Sequence, residues 1–189
     1  MTDLNNGNPG TGPLPPYDGL AISLHWLSAV LVLGAIVLVE SKAWFPKGSA
    51  LRDAVKLWHF QIGAVVFLAT LLRVLWLVVS RKPVPLPARS RRERYLGNVV
   101  HGLLYLLLLV LPLSGGMVLI AAGKPVNLLG MPLPVWADGG RDLARGIKTV
   151  HEFFGSLMIV LVALHVGAAL WHHHVRRDRV LQGMLPGRQ

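Results

Sequence analysis

With 189 residues, 53% of them hydrophobic, and a mean hydropathy of +0.52, the chain is too apolar for an ordinary soluble domain and belongs among membrane proteins. Its formal charge of +10 comes from basic residues between the apolar runs, where they would meet lipid headgroups, and they form no stripe of the kind that binds nucleic acid. The lack of cysteine excludes disulfides, thiolate-ligated clusters and CxxCH haem attachment, and leaves histidine as the main candidate metal ligand.

In chain order, residues 1–18 carry no Lys or Arg and no clear small-residue cleavage site, so they read as a disordered cytoplasmic tail rather than a signal peptide. Four apolar runs follow: Leu20 to Val39, Leu57 to Val79, Leu96 to Ala121 and Val150 to Trp171. Each is near the ~20 residues that a ~30 Å hydrocarbon core demands. Pro112, followed by Ser114, Gly115 and Gly116 in the third run, predicts a kink or a close helix contact. The stretch from Gly123 to Ile147 is rich in Gly and Pro and too polar to span, which predicts an external loop capping the bundle with Trp136. Residues 177–189 form a second cytoplasmic tail. The expected fold is therefore all-α, an integral membrane antiparallel four-helix bundle over residues 19–176, because short connections make sequential helices neighbours.

The connection from Ser80 to Tyr95 carries Arg81, Lys82, Arg89, Arg91, Arg92 and Arg94, which the positive-inside rule assigns to the cytoplasm together with both termini. The opposite connections hold Lys42, Lys47, Arg52 and Lys56, then Lys124, Arg141, Arg145 and Lys148, so the asymmetry is shallow.

Histidines within these runs are functional hypotheses by default, since imidazole nitrogens in hydrocarbon need partners. His25 lies about a turn and a half into the first helix, and His59 near the external start of the second. His151 opens the fourth run at the depth of His59. His165 follows fourteen residues later, ~21 Å deeper and on nearly the same face, which is the level of His25. Two imidazole pairs, His59/His151 outside and His25/His165 inside, without cysteine, suit two b-type haems held between facing helices. Gly63 and Gly155 each fall four residues after an outer histidine, giving a flat macrocycle room, and Gly167 with Ala168 repeats this less distinctly. A zinc or di-metal site is disfavoured, because the pairs stand ~20 Å apart and no carboxylate recurs near either.

Arg73 shares the inner depth, either to pair with a haem propionate or to snorkel to the interface. His101, at the cytoplasmic start of the third helix, is a candidate for a propionate or a quinone, or rests at the interface. His172, one heptad after His165, is a second quinone candidate, whereas His173 and His174 read as interfacial.

These residues together resemble the bacterial cytochrome b561 family of di-haem membrane cytochromes. The resemblance spans roughly Tyr17 to Pro186 and rests on YDGLAISLHWL, KLWHFQIGAVVFLATLLRVLW, HGLLYLLLLVLPLSGG and TVHEFFGSLMIVLVALHVGAALWHHHV, with the tail RDRVLQGMLP. It implies four helices in the bacterial inner membrane and two haem b groups, with His25, His59, His151 and His165 matching the iron-ligand positions and Arg73 a recurring basic one. It also implies electron exchange with the quinone pool: oxidation of superoxide at the external face and reduction of ubiquinone. Lys42, Lys47, Arg52, Lys56, Arg141, Arg145 and Lys148 then become candidates for steering the superoxide anion, against ordinary headgroup contact. The alternative is a relay subunit between quinol and a periplasmic redox partner of dehydrogenase or hydrogenase type. A histidine-rich transporter is disfavoured, because the spans lack broken helices and a carboxylate relay.

Overall fold

A computed structural model describes residues 18–80, 90–133, 140–177 and 181–185. Trp136, the basic residues Arg81, Lys82 and Arg89, and the tail up to residue 17 lie outside the described residues. Four long helices dominate: α1 (Gly19–Ser41), α2 (Ala50–Val79), α3 (Arg91–Ala121) and α4 (Arg141–His174). All four are long and apolar enough to cross a membrane, and their outward faces carry exposed Leu33, Val37, Leu72, Leu75, Leu106, Leu113 and Leu164. A surface of this kind is stable only against lipid, and the chain is a multi-pass membrane protein.

The helices overrun the apolar runs at their polar ends. α2 starts at Ala50, where the Ser49 side chain accepts from Arg52 N, and α3 starts at Arg91 behind a capping box between Ser90 and Glu93. Such caps satisfy orphan N–H groups outside the hydrocarbon. The expected loop from Gly123 to Ile147 is correspondingly shorter, since residues 141–147 belong to α4. Its first part is not irregular either: β1 (Val126–Leu128) pairs antiparallel with β2 (Met131–Leu133). Leu129 and Gly130 turn this hairpin with φ of 49° and 89°, a left-handed conformation that glycine adopts freely.

Gln61 fastens the hairpin to α2. Its Nε2 donates to Asn127 O at 2.6 Å and its Oε1 accepts from Leu129 N at 2.9 Å, so one side-chain amide serves as a strand edge. Replacing Gln61 with Leu is expected to free the hairpin and speed hydrogen exchange at the Leu129 amide, while α2 amides beyond Val66 keep their protection. At the same end, the Arg52 guanidinium donates to Lys42 O at 2.9 Å and Phe45 O at 2.8 Å, clamping the α1–α2 turn.

Close backbone approach joins α1 to α2, α2 to α3 and α3 to α4. Neither α1 with α4 nor α2 with α4 makes an extended contact of this kind. The core is a waist at mid-depth, where buried Val66, Leu107, Leu108, Met158 and Leu161 meet, backed by Ile62, Leu104, Phe154 and Leu157. Within lipid such packing is driven by van der Waals contact rather than by expulsion of water. Buried hydroxyls are satisfied locally: Thr70 donates to Val66 O and Ser28 to Leu24 O, each at 2.7 Å. Past the end of α4, Arg176 pairs with Glu93 at 2.6 Å, and Met184 O accepts from Trp26 Nε1 at 2.6 Å, which returns the C-terminal segment to α1.

Candidate functional site

Two imidazole pairs flank the waist. At the hairpin end, His59 of α2 faces His151 of α4, and at the tail end His25 of α1 faces His165 of α4. Each pair therefore links two helices whose backbones make no extended close approach. The ring centroids are 6.3 Å apart in both pairs. Two imidazoles on opposite sides of one metal, with bonds of about 2 Å, put their nitrogens about 4 Å apart and their ring centres roughly 6 Å apart. Both pairs have that centroid spacing. The same separation is too long for a direct N–H···N hydrogen bond between the rings.

The tautomers at the hairpin end follow from the neighbours. His59 Nδ1 lies 2.9 Å from Ala35 O, and since a carbonyl only accepts, Nδ1 carries the proton. His151 Nδ1 lies 3.0 Å from Ser114 Oγ, whose own proton goes to Leu111 O at 2.9 Å. A hydroxyl has one proton to give, so Ser114 accepts from His151 Nδ1–H. Both rings then leave Nε2 with its lone pair, the orientation a metal-bound histidine takes when its other nitrogen is held by an oxygen.

Space around this pair is uneven. A Cβ added to Gly63 or Gly155 would meet nothing within 4 Å, whereas one on Gly115 would stand 3.2 Å from His151 Cε1. The close contact expected after Pro112 is thus Gly115 against His151. Gly167, the weaker match at the other end, is also open and is exposed.

The tail-end pair has the same spacing and a different setting. Arg73 Nη2 lies 3.3 Å from His25 Nδ1, and its guanidinium sits 5.2 Å from the centre of the Tyr105 ring. A guanidinium only donates, so His25 Nδ1 accepts here. His25 presents Nε2 to a metal only once Arg73 turns to another acceptor, and a propionate carboxylate is one. His101, which from sequence has no mate, stands with its ring 5.3 Å from that of His165. His172 is half-buried in the last turns of α4. Two further polar atoms are buried there without a hydrogen-bond partner among the described residues, Trp76 Nε1 and His173 Nδ1. Sequence reasoning missed Ser114, Trp76 and the Ala35 carbonyl. Only the position of Ser114 beside the Gly115–Gly116 pair hinted at the first.

The seven basic steering candidates gather at the hairpin end, but several are already engaged. Lys56 pairs with Asp53 at 2.7 Å and Arg145 with Asp142 at 2.9 Å. Glu152, next to His151, holds Lys148 at 2.7 Å and Lys42 at 3.7 Å. Arg52 is committed to the turn carbonyls described above. Lys47 and Arg141 are left without an ion-pair partner among the described residues.

The sequence profile of a family described as prokaryotic cytochrome b561 matches residues 16–187. Among individual proteins, cytochrome b561 homolog 2 of Escherichia coli (strain K12) is 32% identical over 179 residues, covering 89% of this chain and 90% of its own. Cytochrome b561 homolog 1 of the same strain is 29% identical over 173 residues, covering 92% and 98%. The probable superoxide oxidase CybB of Yersinia pestis is 30% identical over 172 residues, covering 90% and 96%.

Proposed function

The chain belongs to the prokaryotic cytochrome b561 family, and on that footing we propose that it is a di-haem carrier that oxidises superoxide at one membrane face and reduces ubiquinone. The observation that carries this reading is the hairpin-end pair: two rings 6.3 Å apart, each with Nδ1–H bound to an oxygen, on two different helices. On this reading His59 and His151 hold one haem b through Nε2, His25 and His165 hold the second, and Arg73 pairs with a propionate. Haem b, when bound, supplies one-electron exchange.

The chain's own residues bind, orient and exclude. Ala35 O and Ser114 Oγ fix the outer rings, Gly63 and Gly155 leave the space a flat ring needs, and the waist keeps water out between the two ends. Superoxide is the donor because the name of the Yersinia pestis relative points to it. Two superoxide anions lose one electron each to give two dioxygen molecules, and ubiquinone takes the two electrons with two protons to give ubiquinol. Lys42, Lys47, Arg52, Lys56, Arg141, Arg145 and Lys148 draw the anion to the hairpin end, an effect that added salt weakens. His101 and His172, joined by Trp76 and His173, supply polar nitrogens for quinone at the tail end. The hairpin end then faces the periplasm, and both termini the cytoplasm, of the bacterial inner membrane.

The test is a dithionite-reduced minus oxidised spectrum with pyridine haemochrome quantitation per chain, followed by a superoxide-to-ubiquinone assay at rising ionic strength. Two low-spin haems b and quinol formation that slows with salt are expected. A chain without haem after ample haem supply sinks the ligand assignment. Haem without superoxide-dependent quinol formation, together with a co-purifying redox subunit, favours the relay function instead.

A further inference from the structure

The two histidine pairs share a spacing and differ in what surrounds them. At the hairpin end both rings donate Nδ1–H to neutral oxygens, Ala35 O at 2.9 Å and Ser114 Oγ at 3.0 Å. An imidazole that donates in this way is the more basic, electron-rich ligand, and such a ligand favours the oxidised metal. At the tail end the group within 3.3 Å of His25 Nδ1 is instead the cation of Arg73.

Arg73 is half-buried inside a span, where a low dielectric extends the reach of its charge. Positive charge opposes the oxidised iron whether the guanidinium faces His25 or a carboxylate of the cofactor. Lys42 and Lys148 also lie near His151, but both pair with Glu152 at the rim, and their side chains are 33% and 57% exposed. Solvent screening at that exposed rim leaves them little effect at the metal position.

We infer that these settings make the tail-end site the more readily reduced of the two, with Ser114 and Arg73 as the positioning residues that set the difference. Resting on the two-haem reading above, the inference adds an ordering of potentials that makes the transfer proposed there, from the hairpin end toward the tail end, the downhill one. Ser114 acts through His151. Its own proton is committed to Leu111 O, so it is held as an acceptor and keeps His151 in the Nδ1–H tautomer.

The experiment is a redox titration of the purified full chain, followed in the haem absorption bands, after haem has been counted by pyridine haemochrome. Wild type is expected to titrate in two steps. Arg73→Gln should lower the upper midpoint, with Arg73→Lys retaining it. Ser114→Ala should raise the lower midpoint, with Ser114→Thr restoring it. Arg73→Gln and Ser114→Ala thus bring the two steps together, each by moving a different one. An Arg73→Gln variant that moves the lower step, or neither, overturns the inference, as does a Ser114→Ala variant that moves only the upper one. Should Arg73→Gln lose its haem, Ser114→Ala decides alone. A wild-type haem count other than two sinks the two-haem reading itself, so the two failures read apart.

Discussion

Replacing His151 with alanine is expected to halve the haem content, leaving one haem b per chain by pyridine haemochrome and removing superoxide-dependent quinone reduction. The expectation rests on geometry at one end only. His151 faces His59 across 6.3 Å, while the tail-end pair is built from His25 and His165 on the far side of the waist. The buried residues of that waist, Val66, Leu107, Leu108, Met158 and Leu161, include none of the four histidines, so the bundle is expected to keep its packing when the ring is removed. An isolated His59 keeps its bond to Ala35 O and stays oriented, so added imidazole should restore part of the lost haem. Two haems remaining in the variant would remove His151 from the ligand set, and loss of both would show that the two ends do not load independently.

Gly115→Val is expected to have nearly the same effect without touching a ligand. A Cβ alone would stand 3.2 Å from His151 Cε1, and valine adds two methyl groups on a stiff χ1. The backbone of α3 is held by its own helix, so the ring of His151 is what must move, and moving it breaks the 3.0 Å bond to Ser114. Overpacking of this kind costs about 1–3 kcal/mol, and here the strain falls on a ring whose aim matters. Haem content of Gly115→Val should fall toward one per chain, with Gly115→Ala intermediate. Gly116→Ala, where a Cβ meets nothing within 4 Å, should match wild type. Equal behaviour of Gly115→Val and Gly116→Ala would dismiss the close contact as a constraint on the site.

The sequence makes depth and face legible, because both follow from helical rise and rotation. The four histidines fall into two levels on that basis alone, and the structure brings the members of each level together. The start of α4 at Arg141 is less legible, since a polar helix end in the interface lacks the apolar signal used to bound a span. The hairpin at Val126–Leu133 depends on one distant side chain, Gln61, and no local pattern announces it. Ser114 is hidden for a related reason. A serine in an apolar helix most often bonds its own preceding turn, and Ser114 does so through Leu111 O. Its second bond, to a histidine on another helix, arises only when α3 packs on α4.

The waist carries a further consequence. Between the two histidine levels the described side chains of the core are hydrocarbon, apart from hydroxyls tied to their own helix such as Thr70. Among the described residues this layer offers a proton no chain of side-chain hydrogen bonds, whereas an electron exchanged between two bound haems would need none. An electron passed from one end to the other would then cross the bilayer uncompensated, against or along an electrical potential worth about 2.3 kcal/mol per elementary charge per 100 mV. Under the proposed function, turnover between the two faces would be an electrogenic event, and the energised state of the membrane one of the terms that sets its rate.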